Sequence, residues 1–217
     1  MEVYFDNAAT TPIDPEVFEA MKPYMTEFYG NPSSIHTFGR KSRSAIEIAR
    51  KTIADLLNTS PSEVFFTSGG TEADNTALVC SISSGKFKRV ISSPLEHHAV
   101  LHTLENLASA GSFELTMLEV DNKGRIDHHQ LESLLSEGTS SIVSLMEANN
   151  EIGNLNDLVA IGRLCAKYNA VLHSDTVQSV GHYQHDLQEL SIHCMVGSAH
   201  KFHGPKGAGF LYLNANH

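Results

Sequence analysis

The sequence predicts an α/β protein with a mostly parallel sheet covered by helices on both faces. Seven short apolar runs alternate with segments of helical periodicity. Most of these runs are continuously apolar, which is typical of parallel strands buried on both faces. Only eight residues, 200–207, separate the last two runs. A parallel crossover needs a dozen or more residues, so the last strand is expected to be antiparallel or to lie elsewhere in the sheet.

The predicted elements follow one another without an internal repeat or an obvious linker. Helices are predicted at 45–57, 71–82, 97–108, 128–135 and 158–168. Strands are predicted at 64–67, 89–93, 113–120, 141–146, 170–175, 194–199 and 208–213. We interpret residues 1–15 as an N-terminal arm and residues 16–217 as one large domain.

Composition argues against several classes of protein. The 217 residues carry a formal charge of −10 with no block of like charges, so no electrostatic footprint for nucleic acid or an anionic membrane is expected. The first ten residues, MEVYFDNAAT, do not resemble a secretory signal, and no apolar run approaches membrane-spanning length. Three widely separated cysteines favour a reducing compartment, so we expect a cytoplasmic protein.

The thirteen histidines raise the question of a metal site. None belongs to an HExxH motif, and no CxxC accompanies them. We therefore expect no metal, and a histidine-rich metal-binding module is a distant alternative.

Polar segments follow five of the predicted strands. They read SGGTEADN, PLEHH, EANNEIG, DTVQ and SAHK. Ligands of open α/β sheets collect at the carboxyl ends of the strands. Five such segments together predict a site at this edge, although any one of them alone is weak evidence.

The Gly-rich turn TSGGTEADN opens a predicted helix, where backbone N–H groups suit a phosphate. It lacks the dinucleotide and Walker A fingerprints. A simple helix cap by Ser68 or Thr71 explains the same residues equally well.

Asp175 and Lys201 end consecutive predicted strands. If those strands are neighbours, the two side chains flank one cleft. Asp175 then suits a ligand cation, and Lys201 suits a Schiff base, although a helix cap and a surface lysine are the ordinary alternatives. A phosphate cup, a lysine and an acid are the groups that pyridoxal phosphate requires. His97 is placed to stack on its ring, but spacing alone does not separate it from His98.

Together, these motifs resemble a known family. YFDNAATTPIDPEV, GNPSSIH, VFFTSGGTEADN, EHHAVL, NNEIG, DTVQSVG and SAHKFHGPKGAGFLYL occur in order from about Tyr4 to the end of the chain. They look like those of a cysteine desulfurase, a class V aminotransferase family member with the large domain of a fold-type I pyridoxal 5'-phosphate transferase. DTVQ and SAHK each vary one middle residue of the family pattern.

The resemblance assigns roles to individual residues. It implies that Lys201 is the Schiff-base lysine, that Asp175 pairs with the pyridine nitrogen and that His97 is the stacked imidazole. Gln178 and Asn150 would face the pyridoxal hydroxyl and the substrate. The phosphate would be held by Gly70, Thr71, Ser198 and His200.

The resemblance also implies a reaction and partners. The family converts L-cysteine to L-alanine and passes the sulfur on as a persulfide, for iron–sulfur cluster assembly or tRNA thiolation. A homodimer and a sulfur acceptor such as an iron–sulfur scaffold are expected. Alternatives are another class V enzyme, for example a selenocysteine lyase, and a catalytically inactive fragment.

Family members continue past the AGFLYL strand into the persulfide-forming cysteine loop, a substrate-binding arginine and a small C-terminal domain. We therefore interpret the chain as truncated before these parts. Cys80, Cys165 and Cys194 are expected to be core residues. The six arginines are expected on helices or surface turns; they are Arg40, Arg43, Arg50, Arg89, Arg125 and Arg163.

Overall fold

The computed structural model describes residues 1–111 and 113–217. Within these residues, one seven-stranded sheet has the order β1-β7-β6-β5-β4-β2-β3. The strands are β1 (Val64–Thr67), β2 (Arg89–Ser92), β3 (Glu114–Met117), β4 (Ser141–Ser144), β5 (Val171–Asp175), β6 (Cys194–Ser198) and β7 (Gly209–Leu213). All seven predicted strands are confirmed; β3 has half of its predicted length, and the others are at most two residues shorter than predicted.

Strand directions agree with the sequence prediction. The five strands from β3 to β6 pair in parallel. Strand β7 pairs antiparallel with both β6 and β1, so the expected antiparallel last strand is confirmed. The short 200–207 connection can close only a reversal of direction, which brings β7 back beside β6.

Six α-helices surround the sheet in the described part of the chain. They are α1 (Pro15–Thr26), α2 (Thr37–Leu56), α3 (Gly70–Ser83), α4 (His98–Ser109), α5 (His128–Ser136) and α6 (Leu158–Lys167). The buried residues of α5 and α6 pack with β4 and β5 on one face, together with the end of α2. Helices α3 and α4 pack on the other face. Helices therefore cover both faces, as predicted.

The N-terminal region departs from the sequence prediction in two ways. Helix α1 begins at Pro15, inside the segment described as an arm, with Asp14 as its N-cap. Helix α2 begins at Thr37 rather than near residue 45. The first two turns of α2 bury Gly39 and Ser42 instead of large apolar side chains, so hydrophobic periodicity does not reveal them.

Two further expectations about individual residues are wrong. Cys80 is exposed, because the buried face of α3 is formed by its neighbours at positions such as Ala77 and Ser81. Arg89 begins β2 and is buried, with ion pairs to Glu114 and Glu137 of 3.1 and 2.8 Å. Cys165 and Cys194 are buried, as expected. In the described residues, every helix is too short or too polar to span a membrane.

Candidate active site

The carboxyl ends of the parallel strands surround one cavity of about 280 Å³, here called the main cavity. Its walls contain all nine residues that the sequence analysis singled out: Gly70, Thr71, His97, Asn150, Asp175, Gln178, Ser198, His200 and Lys201. Ala9, Asp74, Met146 and Val177 complete the lining. Gly70 and Lys201, which are 131 positions apart in the sequence, therefore meet at one edge of the sheet. Proteins with α/β sheets bind ligands at this edge.

Asp175 and Lys201 enter the main cavity from neighbouring strands. Strands β5 and β6 pair in parallel, with Asp175 beside Val196. A short 3₁₀ helix, Ala199–Lys201, then carries the lysine over the end of β6. The condition set from the sequence, that the two strands be neighbours, is met.

The Asp175 carboxylate is almost fully buried, with 5% of the residue exposed. Its Oδ1 accepts the Val177 N–H at 2.9 Å, so it also caps the following turn. The pKa of Asp175 is raised to about 7. Burial is the largest cause and the nearby Asp74 adds to it, while the Val177 N–H acts in the opposite direction. An anion here is costly unless a cation faces it, which suits a protonated ring nitrogen.

The Lys201 ammonium group is half-buried. Burial lowers its pKa, while Asp175 and Asp6 act in the opposite direction. Its Nζ donates a hydrogen bond to the Ala8 carbonyl, which also accepts from Gln178 Nε2 at 2.8 Å. A lysine with a lowered pKa has a larger neutral fraction, which an amine needs in order to attack a carbonyl.

The N-terminal arm forms part of the wall. His200 Nδ1 lies 3.0 Å from Thr10 Oγ1, and the Thr11 hydroxyl donates to the His200 carbonyl at 2.8 Å. These bonds hold the arm across the end of β6. Sequence spacing gave no signal for this contact, because the arm and His200 are about 190 residues apart.

An adjoining cavity of about 340 Å³ shares four lining residues with the main cavity, namely Gly70, Thr71, Ser198 and His200. It lies at the N-terminus of α3, whose first N–H groups have no partners within the helix. Gly69 precedes that helix with φ of 156°, a conformation that favours glycine. Lys206 and Glu72 also line this space, and Glu72 accepts the Ser68 N–H at 2.6 Å.

His97 is the N-cap of α4 and is exposed toward solvent. Its Nδ1 accepts the Ala99 N–H at 3.1 Å, which fixes the ring beside the main cavity and leaves Nε2 to carry the proton. His98 lies one residue later, is not among the residues that line the cavity and stacks on His102 at 5.1 Å. The structure thus separates the two histidines that spacing left open.

The donor set fits pyridoxal phosphate. One end of the combined space offers helix N–H groups, hydroxyls and an imidazole, which suit a phosphate. The other end holds a lysine amine and a buried carboxylate, Asp175, which makes no salt bridge within the described residues. Among the described residues, no group of three or more potential ligand side chains is arranged to hold a metal ion.

Comparison with known proteins identifies the family. The family description "Aminotransferase class-V" matches residues 3–217. The chain belongs to the class V aminotransferase family. This family depends on pyridoxal phosphate, in agreement with the donor set.

Class V relatives with similar sequences are named as desulfurases. The chain is 47% identical over 214 residues to "Cysteine desulfurase IscS" of Dictyoglomus turgidum, covering 98% of this chain and 54% of the relative. It is 46% identical over 213 residues to the protein of the same name from Methanosarcina thermophila, covering 97% and 52%. The chain therefore spans about half the length of the curated relatives it matches.

Solved class V structures share the fold. A "NifS-like protein" superposes with a TM-score of 0.92 at 39% identity, covering 99% of this chain and 60% of that one. The structure "SspA in complex with cysteine" superposes with a TM-score of 0.93 at 34% identity, covering 98% of this chain and 61% of that one. The fold is that of the fold-type I pyridoxal phosphate enzymes.

Four buried polar residues at the site were missed by sequence reasoning, namely Asp74, Glu96, Ser144 and His173. Asp74 stands in the TSGGTEADN segment, which was interpreted only as a phosphate site or a helix cap. A usable signal existed for His173, which lies two residues before Asp175 on the same strand and hence on the same face.

Proposed function

We propose that this chain forms the cofactor-binding part of a pyridoxal phosphate-dependent cysteine desulfurase, which converts L-cysteine to L-alanine and transfers the sulfur as a persulfide. The observation that carries the proposal is the convergence of Lys201, Asp175 and the α3 N-terminus on one cavity. The relatives named cysteine desulfurase, and the relative solved with cysteine, support the substrate.

The proposed roles follow from the contacts. Lys201 supplies the amine for the cofactor aldehyde, and Asp175 holds a proton on the ring nitrogen. His97 packs on the ring and moves protons at the substrate through Nε2. When bound, the cofactor supplies an electron sink for bonds broken at the substrate α-carbon.

The remaining predicted residues orient the ligand. Gln178 and Asn150, which both line the main cavity, face the pyridoxal hydroxyl and the substrate. The phosphate is held by Gly70, Thr71, Ser198 and His200. Residues 16–217 constitute the cofactor-binding domain, with residues 1–15 contributing the arm that carries Ala8 across Lys201.

Asp175→Asn tests the proposed function. Asparagine caps a turn about as well as aspartate, so the fold should persist. The ring nitrogen loses its anionic partner, so the affinity for pyridoxal phosphate should fall by about tenfold or more, equal to 1.4 kcal/mol. The measurement is an absorbance titration of the cofactor band near roughly 420 nm, with circular dichroism to verify folding.

Asp157→Asn is the matched control, because Asp157 also caps a helix, accepting the Ala160 N–H at 2.9 Å. It does not line the main cavity, so it should bind the cofactor like the wild type. Equal affinities for Asp175→Asn and the wild type would show that Asp175 is only a cap.

We also propose a homodimer. The N-terminal quarter of the chain exposes large apolar side chains, among them Phe5 at 87%, Tyr29 at 71% and Ile35 at 90%. Exposed apolar side chains favour association, and the resemblance supports a second copy of the chain as the partner.

Ile35→Glu is expected to weaken the dimer by at least about tenfold, since it replaces one of these exposed apolar side chains with a charge. Val159→Glu is the control, because Val159 is 42% exposed on α6, outside the N-terminal quarter of the chain. Analytical ultracentrifugation measures both. A wild-type chain that sediments as a monomer, or a dimer that Ile35→Glu leaves intact, would contradict the proposal.

The sulfur acceptor is proposed to be an iron–sulfur scaffold or a tRNA-thiolation protein, as the resemblance of the sequence motifs implies. We place the reaction in the cytoplasm, supported by three free cysteines. The proposed acceptors are tested by measuring the transfer of labelled sulfur to them from a full-length relative such as the Dictyoglomus turgidum protein.

A further inference from the structure

A second aspartate, Asp74, lies on the buried side of the main cavity and has no assigned role. It projects from α3, is 1% exposed, and lines the same cavity as Asp175. Its Oδ1 lies 3.2 Å from His173 Nε2. Among the described residues, neither atom makes a hydrogen bond, either to the other or to a third group. Both of these buried atoms are satisfied if one proton lies between them.

The other side of the His173 ring is fixed by a serine. His173 Nδ1 lies 2.9 Å from Ser144 Oγ, and both residues are buried. Ser144, His173 and Asp74 therefore form a row that crosses from β4 through β5 to α3. Asp175 is two residues after His173 on the same face of β5. Asp74, at one end of the row, therefore lines the main cavity together with the carboxylate that we assign to the ring nitrogen.

Charged groups reach Asp175 from every element around it. Asp74 comes from α3, Glu96 and His97 from the β2–α4 connection, His173 from its own strand, and Lys201 from beyond β6. Like-charged carboxylates in one dry site cannot all ionise. Asp175 accepts a backbone N–H, whereas the described residues place only the His173 imidazole within ion-pair distance of Asp74. The negative charge is therefore more stable on Asp175.

Burial favours the neutral form of both members of the Asp74–His173 pair, although it shifts their pKa values in opposite directions. It raises the pKa of Asp74 well above its usual value and lowers the pKa of His173 to about 4. Burial therefore favours the neutral form of both groups. Burial likewise raises the pKa of Glu96 well above its usual value, which favours its neutral form as well.

We propose that Asp74 is a protonated carboxylic acid that donates to His173 Nε2, while His173 Nδ1–H donates to Ser144 Oγ. Asp74 and His173 then act as a neutral positioning pair, and Asp175 remains the only aspartate anion facing the cavity. This inference rests on the proposed role of Asp175 toward the cofactor. It adds a reason why Asp175 stays ionised although it is buried beside a second aspartate.

The test uses nuclear magnetic resonance on the chain without cofactor, with carboxyl-¹³C aspartate and ring-¹⁵N histidine, between about pH 5 and pH 9. Asp74→Asn and Asp175→Asn assign the two aspartate signals. We expect the Asp74 signal to stay in its protonated position up to at least about pH 8, and the His173 ring to stay neutral with Nδ1 protonated. Asp175 should ionise within the range.

Asp74→Asn is also the decisive variant, because an amide is neutral and can donate to His173 Nε2 as the acid does. It should move the Asp175 midpoint by less than about 0.3 unit. Three results would overturn the proposal: an ionised Asp74 at neutral pH, a His173 imidazolium, or an Asp175 midpoint that Asp74→Asn lowers by about one unit or more. Should this variant not fold, the wild-type His173 ring signals, assigned through bonds from its backbone, decide the question.

The result is separable from the proposed function. A parallel absorbance titration measures pyridoxal phosphate binding by the same samples. A chain that keeps Asp74 protonated but binds no cofactor would refute the proposed function and retain the pair. A chain that binds the cofactor with Asp74 ionised would retain the function and refute the pair.

Discussion

Lys201→Ala is expected to abolish covalent capture of pyridoxal phosphate, whereas Lys206→Ala preserves it. Lys201 lines the main cavity, where burial lowers its pKa and Asp175 lies among its neighbours. Lys206 is five residues later, exposed, and lines only the adjoining cavity. Of these two lysines, only Lys201 is both near the Asp175 carboxylate and partly shielded from water. The two lysines therefore form a matched pair within one loop.

The measurement is borohydride reduction of the loaded chain, followed by mass mapping of peptides. We expect one label on Lys201 in the wild type and in Lys206→Ala, and no specific label in Lys201→Ala. Lys206→Ala should weaken binding only modestly, because its cation lies near the proposed phosphate position. A label on Lys206, or a wild-type chain without any label, would contradict the assignment of the amine.

The sequence predicted the sheet well because the information is local. Strand β6 is a continuous apolar run ending in a polar residue, and its span was predicted to within one residue. The same holds for β5, whose last residue is Asp175. Since the ends of parallel strands meet at one edge, the strand ends pointed to one site there, and the family resemblance then selected the nine residues that line the main cavity.

Other features depend on packing that the sequence does not encode locally. Helix α1 has no buried residue in this structure, so no core-facing stripe marks it. Asp74 resembles an ordinary acidic residue in the first turns of a helix, and only its contact with His173 shows that it faces the sheet. Cys80 was predicted as a core residue because its neighbours are apolar, but the rotation of α3 exposes it.

The 217-residue chain alone is expected to show no steady release of alanine or sulfide from L-cysteine, even when loaded with cofactor. Attack on the substrate sulfur needs a thiolate within reach of the cavity. None of the cysteines among the described residues lines it. Burial raises the pKa of both Cys165 and Cys194 to about 12, so almost no thiolate forms there at neutral pH.

Cys80 is exposed but cannot substitute for a mobile thiolate. It follows Gly70 by ten residues on α3, which places it about 15 Å along the helix from the N-terminus that faces the cavity. The assay compares sulfide and alanine release by the wild type, Cys80→Ala and Lys201→Ala, with the full-length Dictyoglomus turgidum relative as the positive control. The wild-type chain and its two variants should release sulfide and alanine only at the background rate, while the relative turns over. Steady turnover that Lys201→Ala abolishes would show that these residues suffice, and loss of that turnover in Cys80→Ala would identify a nucleophile that this geometry excludes.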